Sequence, residues 1–320
     1  MEKISVKVAG KRLEAQDIVS FELVPAVAGS SLPVFQPGAH IDVHIPGGTI
    51  RQYSLWNSSK DRNIYRIGVL KEVNGRGGST AMHDLVEVAT LLEISPPRNQ
   101  FALVSTQASS LLLAGGIGIT PILSMAEELL IRGSPFVFHY CARSRIRAAF
   151  LERLSQRDLS DKVRLHFDDA APEQRIDIAK LLRDQALDCN LYICGPQGFM
   201  NSVLSQAREM GWDEDRLHYE SFQANLQVKE GDQPFEVKLF KTGQIVQVAA
   251  DQSVTHALAA SGIVIPTSCE QGICGTCLTK VIEGTPDHRD SFLMPSEHLK
   301  NDCFTPCCSR SFTSTLVIDL

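Results

Sequence analysis

The chain has 320 residues, 43% of them hydrophobic and 21% charged, with a net charge of −6. That length exceeds what one hydrophobic core usually serves, so two or three domains are expected. The negative balance argues against nucleic acid and anionic membranes as partners, and no apolar run approaches the ~20 residues that span a bilayer. Nine cysteines without a signal peptide suggest a reducing compartment, so a cytoplasmic location is expected.

From Ile4 to Phe101 the pattern has period two. Ile4, Val6 and Val8 alternate, as do Val19, Phe21 and Leu23, then Ile41, Val43 and Ile45, then Tyr65, Ile67 and Val69. Pro46-Gly47-Gly48 is a hairpin signal between two of these runs. Many short strands with little helical pattern predict a small antiparallel β-barrel. Two segments within it stand out. Arg51-Gln52-Tyr53-Ser54-Leu55 places an arginine two residues before a tyrosine on a strand, which by itself describes a solvated charge beside a core aromatic. Gly75-Arg76-Gly77-Gly78-Ser79-Thr80 leads into a helix predicted over Ala81–Val86. Its plain reading is a flexible hairpin, but amide groups at a helix start beside an arginine also form a phosphate cradle.

The next 120 residues or so alternate strand and helix. The short apolar run Leu111–Ala114 is followed by Gly115-Gly116-Ile117-Gly118-Ile119-Thr120-Pro121. An amphipathic helix comes next, with Ile122, Met125, Ala126, Leu129 and Leu130 on one face. Thr120 is predicted as its N-cap, Pro121 as its first residue and Gly133 as its end. A strand, a glycine-rich turn and a helix N-terminus together suit a pyrophosphate, although the turn lacks the dinucleotide fingerprint. Further strands are predicted at Phe136–Tyr140, Val163–Phe167 and Leu191–Cys194, with helices at Ile146–Gln156 and Phe199–Met210. This grammar implies an α/β domain with a largely parallel sheet. Ligands of such sheets bind beyond the carboxyl ends of the strands, where Gly115–Thr120, Cys141–Ser144, Asp168 and Cys194–Pro196 all fall.

Gln223–Gln233 is polar and aperiodic and reads as a linker. Phe235, Val237 and Leu239 then alternate, Thr242-Gly243 marks a turn, and Val246 and Val248 alternate in a second strand ahead of a helix at Ser253–Ser261. Cys269, Cys274 and Cys277 follow in C-x₄-C-x₂-C order, the spacing that holds a plant-type [2Fe–2S] cluster with one distant cysteine. A structural zinc would call for paired cysteine units, and a single compact cluster of three is present. Gly272 and Gly275 suit the backbone angles of so tight a loop. Cys303, Cys307 and Cys308 compete for the fourth position. His40 and His44 have the H-x-x-x-H spacing of a helical metal site. On a strand, however, four residues separate them by about 13 Å, so each is read as structural or surface.

The Arg51-x-Tyr53-Ser54-Leu55 segment, Gly115–Pro121, Cys194-Gly195-Pro196 and a terminal ferredoxin module together resemble the phthalate dioxygenase reductase family. That family belongs to the wider ferredoxin–NADP reductase superfamily, and the resemblance runs from end to end. It implies a multidomain protein: an FMN-binding β-barrel at 1–104, an NAD-binding α/β domain at 105–224, a linker at 225–232 and a β-grasp ferredoxin domain at 233–320. It implies that Arg51, Tyr53 and Ser54 hold FMN, with Arg76, Gly78 and Ser79 completing the phosphate site. Gly116, Thr120, Pro121, Cys194 and Gly195 would meet the NADH pyrophosphate and nicotinamide, with Arg143 and Asp168 nearer the adenosine half. Glu220-Ser221-Phe222 matches the family's E-x-F, so Phe222 lies close to the flavin, and Ser54, Cys194 and Glu220 are the expected catalytic residues. The family's fourth cluster ligand precedes one variable residue and then Ser-Arg. This makes Cys307 the expected partner of Cys269, Cys274 and Cys277.

The implied function is a relay from NADH to FMN to [2Fe–2S] to the Rieske centre of a separate oxygenase that hydroxylates or demethylates a small substrate. The reductase itself is expected to be a monomer. The competing expectations are a reductase for a cytochrome P450 or other haem partner, and a non-catalytic redox sensor, for which flavin and nicotinamide signatures serve no purpose.

Overall fold

The computed structural model describes residues 3–320 apart from 74–76, 107, 187, 223–230, 268, 269, 271, 273, 274 and 291. Arg76, Cys269, Cys274 and most of the expected linker therefore lie outside the described residues. The chain divides into two compact units, Met1–Phe222 and Gln223–Leu320. Among the described residues no helix is long and apolar enough to cross a membrane.

The first unit opens with six antiparallel strands: β1 (Ile4–Ala15), β2 (Ile18–Pro25), β3 (His40–His44), β4 (Ile50–Ser54), β5 (Tyr65–Leu70) and β6 (Leu91–Ile94). They are ordered β4-β3-β6-β1-β2-β5, and a bridge between Leu55 and Ile67 brings the two outer strands together. Helix α1 (Gly78–Leu85) lies between β5 and β6. The period-two residues point inward as expected: Val6, Val8, Phe21, Leu23, Ile41, Val43, Ile67 and Val69 are all buried in one core. Gly47 and Gly48 turn the chain between β3 and β4 with φ of 98° and 86°, a region that favours glycine.

Five parallel strands follow, β7 (Ser110–Gly115), β8 (Phe136–Ala142), β9 (Val163–Phe167), β10 (Asn190–Cys194) and β11 (Leu217–Glu220), ordered β11-β10-β7-β8-β9. Between them run α2 (Ile119–Arg132), the short α3 (Leu151–Leu154) and α4 (Arg157–Ser160), then α5 (Ile178–Arg183) and α6 (Gln197–Glu209). The central β7 is covered on both faces, which explains its unbroken apolar run. Leu112 and Ala114 face the core beneath α2, while Leu111 and Leu113 face the one beneath α6.

Two helix expectations need correction. Thr120 is not the N-cap of α2. A 3₁₀ turn at Gly116–Gly118 comes first, Gly118 caps the helix, and Pro121 is its third residue. The turn forms because Gly116 takes φ 53°, and the Thr120 hydroxyl then donates back to the Ile117 carbonyl at 3.1 Å. The helix at Ile146–Gln156 is instead a 3₁₀ turn and two short helices, broken at Phe150, whose φ is 60°. Phe150 is held there by packing: its ring lies 4.8 Å from that of Trp56. Gly133 ends α2 as expected, with φ 66° and its amide bonded to the Leu129 and Leu130 carbonyls.

The second unit contains β12 (Phe235–Leu239), β13 (Ile245–Val248), α7 (Val254–Ala260), β14 (Thr279–Glu283), β15 (Pro286–Asp287), α8 (Pro295–His298), β16 (Cys303–Phe304), β17 (Arg310–Ser311) and β18 (Thr315–Ile318). Its main sheet runs β13-β12-β18-β14-β16, with β12 and β18 parallel. A hairpin, a helix and a returning parallel strand make the β-grasp arrangement. Ser253 caps α7 by accepting the His256 amide at 3.2 Å. Asp232, at the end of the expected linker, is gripped by Arg289, whose Nη1 donates to it at 2.8 Å. Arg310 donates to the Gln252, Gln233 and Ala249 carbonyls. Both arginine side chains are almost wholly buried, so these bonds fasten the start of the module to its β15–β17 pair.

Candidate functional site

β4 and the start of α1 form the first part of the site. Tyr53 sits on β4 opposite Ile41, and its hydroxyl is buried with no hydrogen-bond partner. A buried hydroxyl left without a partner is costly, so this position calls for a polar group brought by a ligand. Burial also pushes the Tyr53 phenol well above its ordinary range. Beside it, Gly77 at φ 81° opens α1 with no side-chain cap, leaving first-turn amides to meet an anion. Gly78 lets Arg51 come close: a Cβ there would lie 2.9 Å from Arg51 Cγ and Nε. The Arg51 stem thus crosses the helix start, and its Nη1 donates to the Ile50 carbonyl at 2.8 Å. The Ser79 hydroxyl accepts the Glu72 amide at 2.9 Å, closing the loop before α1. Uncapped amides, a forked cation and an orphaned phenol fit a phosphorylated aromatic cofactor.

The second part lies where the parallel sheet reverses its winding. β7 and β10 are neighbours whose following helices take opposite faces, and the crevice at such a point is the ligand site of open α/β sheets. Here the turns after the two strands interlock. A Cβ on Gly118 would lie 2.4 Å from the Cys194 carbonyl oxygen, and one on Gly195 would lie 2.9 Å from Gly115 Cα. These are backbone neighbours that cannot swing away. The barrel packs onto the same place, where a Cβ on Gly68 of β5 would meet Thr120 Cγ2 at 2.9 Å.

Three residues from three strands converge at this junction. Cys194 and Glu220 are register partners on β10 and β11, and Ser54 Oγ lies 3.5 Å from Glu220 Oε2. Burial raises the Glu220 carboxyl to about 8, against a smaller opposing effect of the Ser54 hydrogen bond. Burial likewise raises the Cys194 thiol well above its ordinary value, with the Glu220 charge adding to it. Glu220 is therefore a carboxylic acid able to hold a proton near neutral pH. Thr120 and Pro121 are buried at the head of α2. Arg143 and Asp168 are exposed beyond β8 and β9, where the Asp168 amide donates to Ala142 at 3.1 Å and that of Asp169 to Arg143 at 3.3 Å. Phe222, 43% exposed, follows β11 two residues past Glu220. Sequence reading missed His40, whose Nδ1 lies 3.8 Å from Glu220 Oε1. Nothing local marks a contact between residues 180 positions apart.

The second unit carries the cysteine site. Cys277, Cys307 and Cys308 are buried in one core, whereas Cys303 on β16 is part-exposed and outside it. Gly272 and Gly275 have φ of 73° and 67°. A Cβ on Gly272 would lie 2.4 Å from Cys308 Sγ, and one on Gly275 would lie 2.3 Å from Phe292 Cζ. Both glycines are needed for angle, and Gly272 also for space, since Asp290 Cα stands 2.8 Å from where its Cβ would lie. Cys308 Sγ rests 3.3 Å from the Thr305 hydroxyl. Two buried thiols beside a loop tightened by glycines fit a sulfur-bridged metal cluster.

The fold and these two sites define a modular oxidoreductase that couples a nucleotide-binding flavoprotein-type unit to an iron–sulfur unit. The 2Fe-2S iron-sulfur cluster binding domain family matches residues 237–311. The chain is 53% identical over 317 residues to the vanillate O-demethylase oxidoreductase of a Pseudomonas species, covering 99% of this chain and 100% of that protein. It is 52% identical to the protein of the same name from Pseudomonas putida, again over 99% and 100% of the two chains. Among solved structures it is similar to phthalate dioxygenase reductase, described as a modular structure for electron transfer from pyridine nucleotides to [2Fe–2S]. The TM-score is 0.75 and the identity 36%, with 99% of this chain and 98% of that one covered. The chain belongs to this family of oxygenase reductases, oxidoreductases that transfer electrons to an oxygenase.

Proposed function

We propose that this chain oxidises NADH and passes the electrons through FMN and a plant-type [2Fe–2S] cluster to the Rieske centre of a separate terminal oxygenase. The observation that carries this reading is the meeting of Ser54, Cys194 and Glu220 at the winding reversal of the sheet, beside the uncapped start of α1. In the reading, residues 1–104 hold the flavin, 105–224 the nucleotide, 225–232 link, and 233–320 carry the cluster. Arg51 and the first-turn amides of α1 bind the FMN phosphate, with Arg76, Gly78 and Ser79, while Tyr53 lies against the ring. Gly116, Thr120, Pro121 and Gly195 receive the NADH pyrophosphate and nicotinamide. Cys194 would face the nicotinamide and Phe222 the flavin, where the two side chains would help to keep water from the transfer. Ser54 and Glu220 supply a hydroxyl and a protonated carboxyl where the proton accompanying hydride transfer is held. Flavin accepts two electrons as hydride and releases them singly, which is the conversion a one-electron cluster needs. Cys269, Cys274, Cys277 and Cys307 hold that cluster.

FMN rather than FAD is supported by the two arginines, Arg51 and Arg76, whose forks suit a terminal phosphate dianion. NADH rather than NADPH is supported by Asp168 and Asp169 beyond β9, since a carboxylate accepts a ribose hydroxyl and repels a 2′-phosphate. An O-demethylating oxygenase as acceptor is supported by the 53% identity to a vanillate O-demethylase oxidoreductase, and its Rieske centre by the family resemblance of the motifs. The identity to a self-sufficient cytochrome P450 monooxygenase is 35%, with 41% of that chain covered. The reductase acts as a cytoplasmic monomer in this reading. Boiling the purified protein and chromatographing the released flavin tests it, with FMN the expected product. FAD, or no oxidation of NADH with ferricyanide as acceptor, would overturn it.

A further inference from the structure

Behind Glu220 runs a chain of side chains that the reaction scheme does not use, ending in a His40 nitrogen 3.8 Å from the carboxyl. His40, with 8% of its side chain exposed, lies between Glu220 and Gln52. Gln52 Nε2 stands 3.3 Å from His40 Nε2 and 3.1 Å from Asp42 Oδ1, and Arg98 Nη2 donates to Asp42 Oδ2 at 2.5 Å. The β3–β4 register, His40 opposite Ser54 and Asp42 opposite Gln52, lines these groups up along one face of the hairpin.

Chemistry gives the chain a direction. Arg98 is a permanent cation and donor, so Asp42 stands as a carboxylate with acceptors alone to offer. That fixes the Gln52 amide with its NH₂ toward Asp42, because the reverse orientation would set oxygen against oxygen. The second N–H of the same NH₂ then reaches His40 Nε2, which must accept. In the neutral imidazole the proton consequently sits on Nδ1, the nitrogen facing Glu220 Oε1.

We propose that His40 is a positioning residue for the hydride-transfer site. The chain Arg98–Asp42–Gln52 turns its Nδ1–H toward Glu220, 3.8 Å from Oε1, so that the N–H dipole rather than a direct hydrogen bond biases that carboxyl beside Ser54 and Cys194. This rests on the reading of Glu220 as part of that site. The groups facing Glu220 are Ser54 from β4, His40 from β3 and Cys194 from β10. Among them His40 alone offers a nitrogen donor to the ionised form, so its removal should favour the protonated carboxyl.

Infrared difference spectroscopy of the FMN-loaded protein, titrated with acid and base, reads this without turnover. The carboxyl band that is lost on raising the pH, and that is missing in Glu220→Gln, belongs to Glu220. In His40→Leu its midpoint should rise by about one pH unit, a roughly tenfold change in proton affinity. His40→Gln keeps an N–H donor and should stay close to the parent. Gln52→Leu, which frees the imidazole while keeping it, should give a smaller rise. An unmoved midpoint in His40→Leu overturns the proposal. Should that variant not fold, an unmoved midpoint in Gln52→Leu does so instead. A midpoint that moves while the NADH-to-flavin rate and its pH profile stay fixed upholds the His40–Glu220 coupling and overturns the role of Glu220 in the transfer.

Discussion

Glu220→Gln should make the first unit more stable, and by an amount that grows with pH. Burial raises this carboxyl from its ordinary 4.5 to about 8. At ~1.4 kcal/mol per pH unit the full effect is of the order of 5 kcal/mol against the fold. Below pH 4.5 the folded and unfolded chains both carry the proton, and the cost is absent. Between 4.5 and about 8 the unfolded chain releases a proton that the fold retains, so stability falls as pH rises. Above that range both forms are ionised and the cost is constant. Glutamine removes the ionisation and keeps the shape, so the variant's advantage should widen by ~1.4 kcal/mol for each unit between about pH 5 and pH 7. Urea unfolding followed by tryptophan fluorescence measures this in the right unit, because both tryptophans, Trp56 and Trp212, lie within Met1–Phe222. Titrating groups that do not face Glu220 cancel between variant and parent. A difference in stability that is the same at pH 5 as at pH 8 would show that Glu220 ionises normally, and the argument from its burial would fall.

Cys307→Ser should abolish the iron–sulfur absorption while the flavin bands survive, and Cys308→Ser should keep both; the reverse result would exchange the two assignments. Gly118→Ala places a methyl 2.4 Å from the Cys194 carbonyl, so KM for NADH should rise about tenfold with flavin content unchanged. An unaltered KM would separate the interlocked turns from nucleotide binding. Asp168→Ala should narrow the preference for NADH by improving NADPH, measured as the ratio of kcat/KM values, and a fixed ratio would assign discrimination elsewhere.

Strands were legible in the sequence wherever burial falls on one face, as along Val19, Phe21 and Leu23, because alternation is the direct imprint of a barrel wall. The unbroken Leu111–Ala114 run was equally legible, since a central parallel strand is covered twice. The start of α2 was misread because Thr120-Pro121 is a good capping pair locally, whereas the close approach of Gly118 to Cys194 sets the actual turn. The break at Phe150 has the same origin. Its left-handed backbone is imposed by a ring contact with Trp56, nearly a hundred residues away. The site followed the same division. Ser54, Cys194 and Glu220, singled out by motifs, lie close together where β4 meets β10 and β11. His40 reads as structural or surface because a strand sets it about 13 Å from His44, and its 3.8 Å approach to Glu220 is made across the fold and leaves no periodic trace.

The most direct test of the relay is anaerobic stopped-flow mixing of the holoprotein with NADH, following the flavin and iron–sulfur absorbances separately. Flavin should be reduced first and the cluster should follow, and Cys307→Ser should retain the first phase and lose the second. Reduction of the cluster in protein stripped of flavin, or a cluster that stays oxidised after the flavin is reduced, would contradict it.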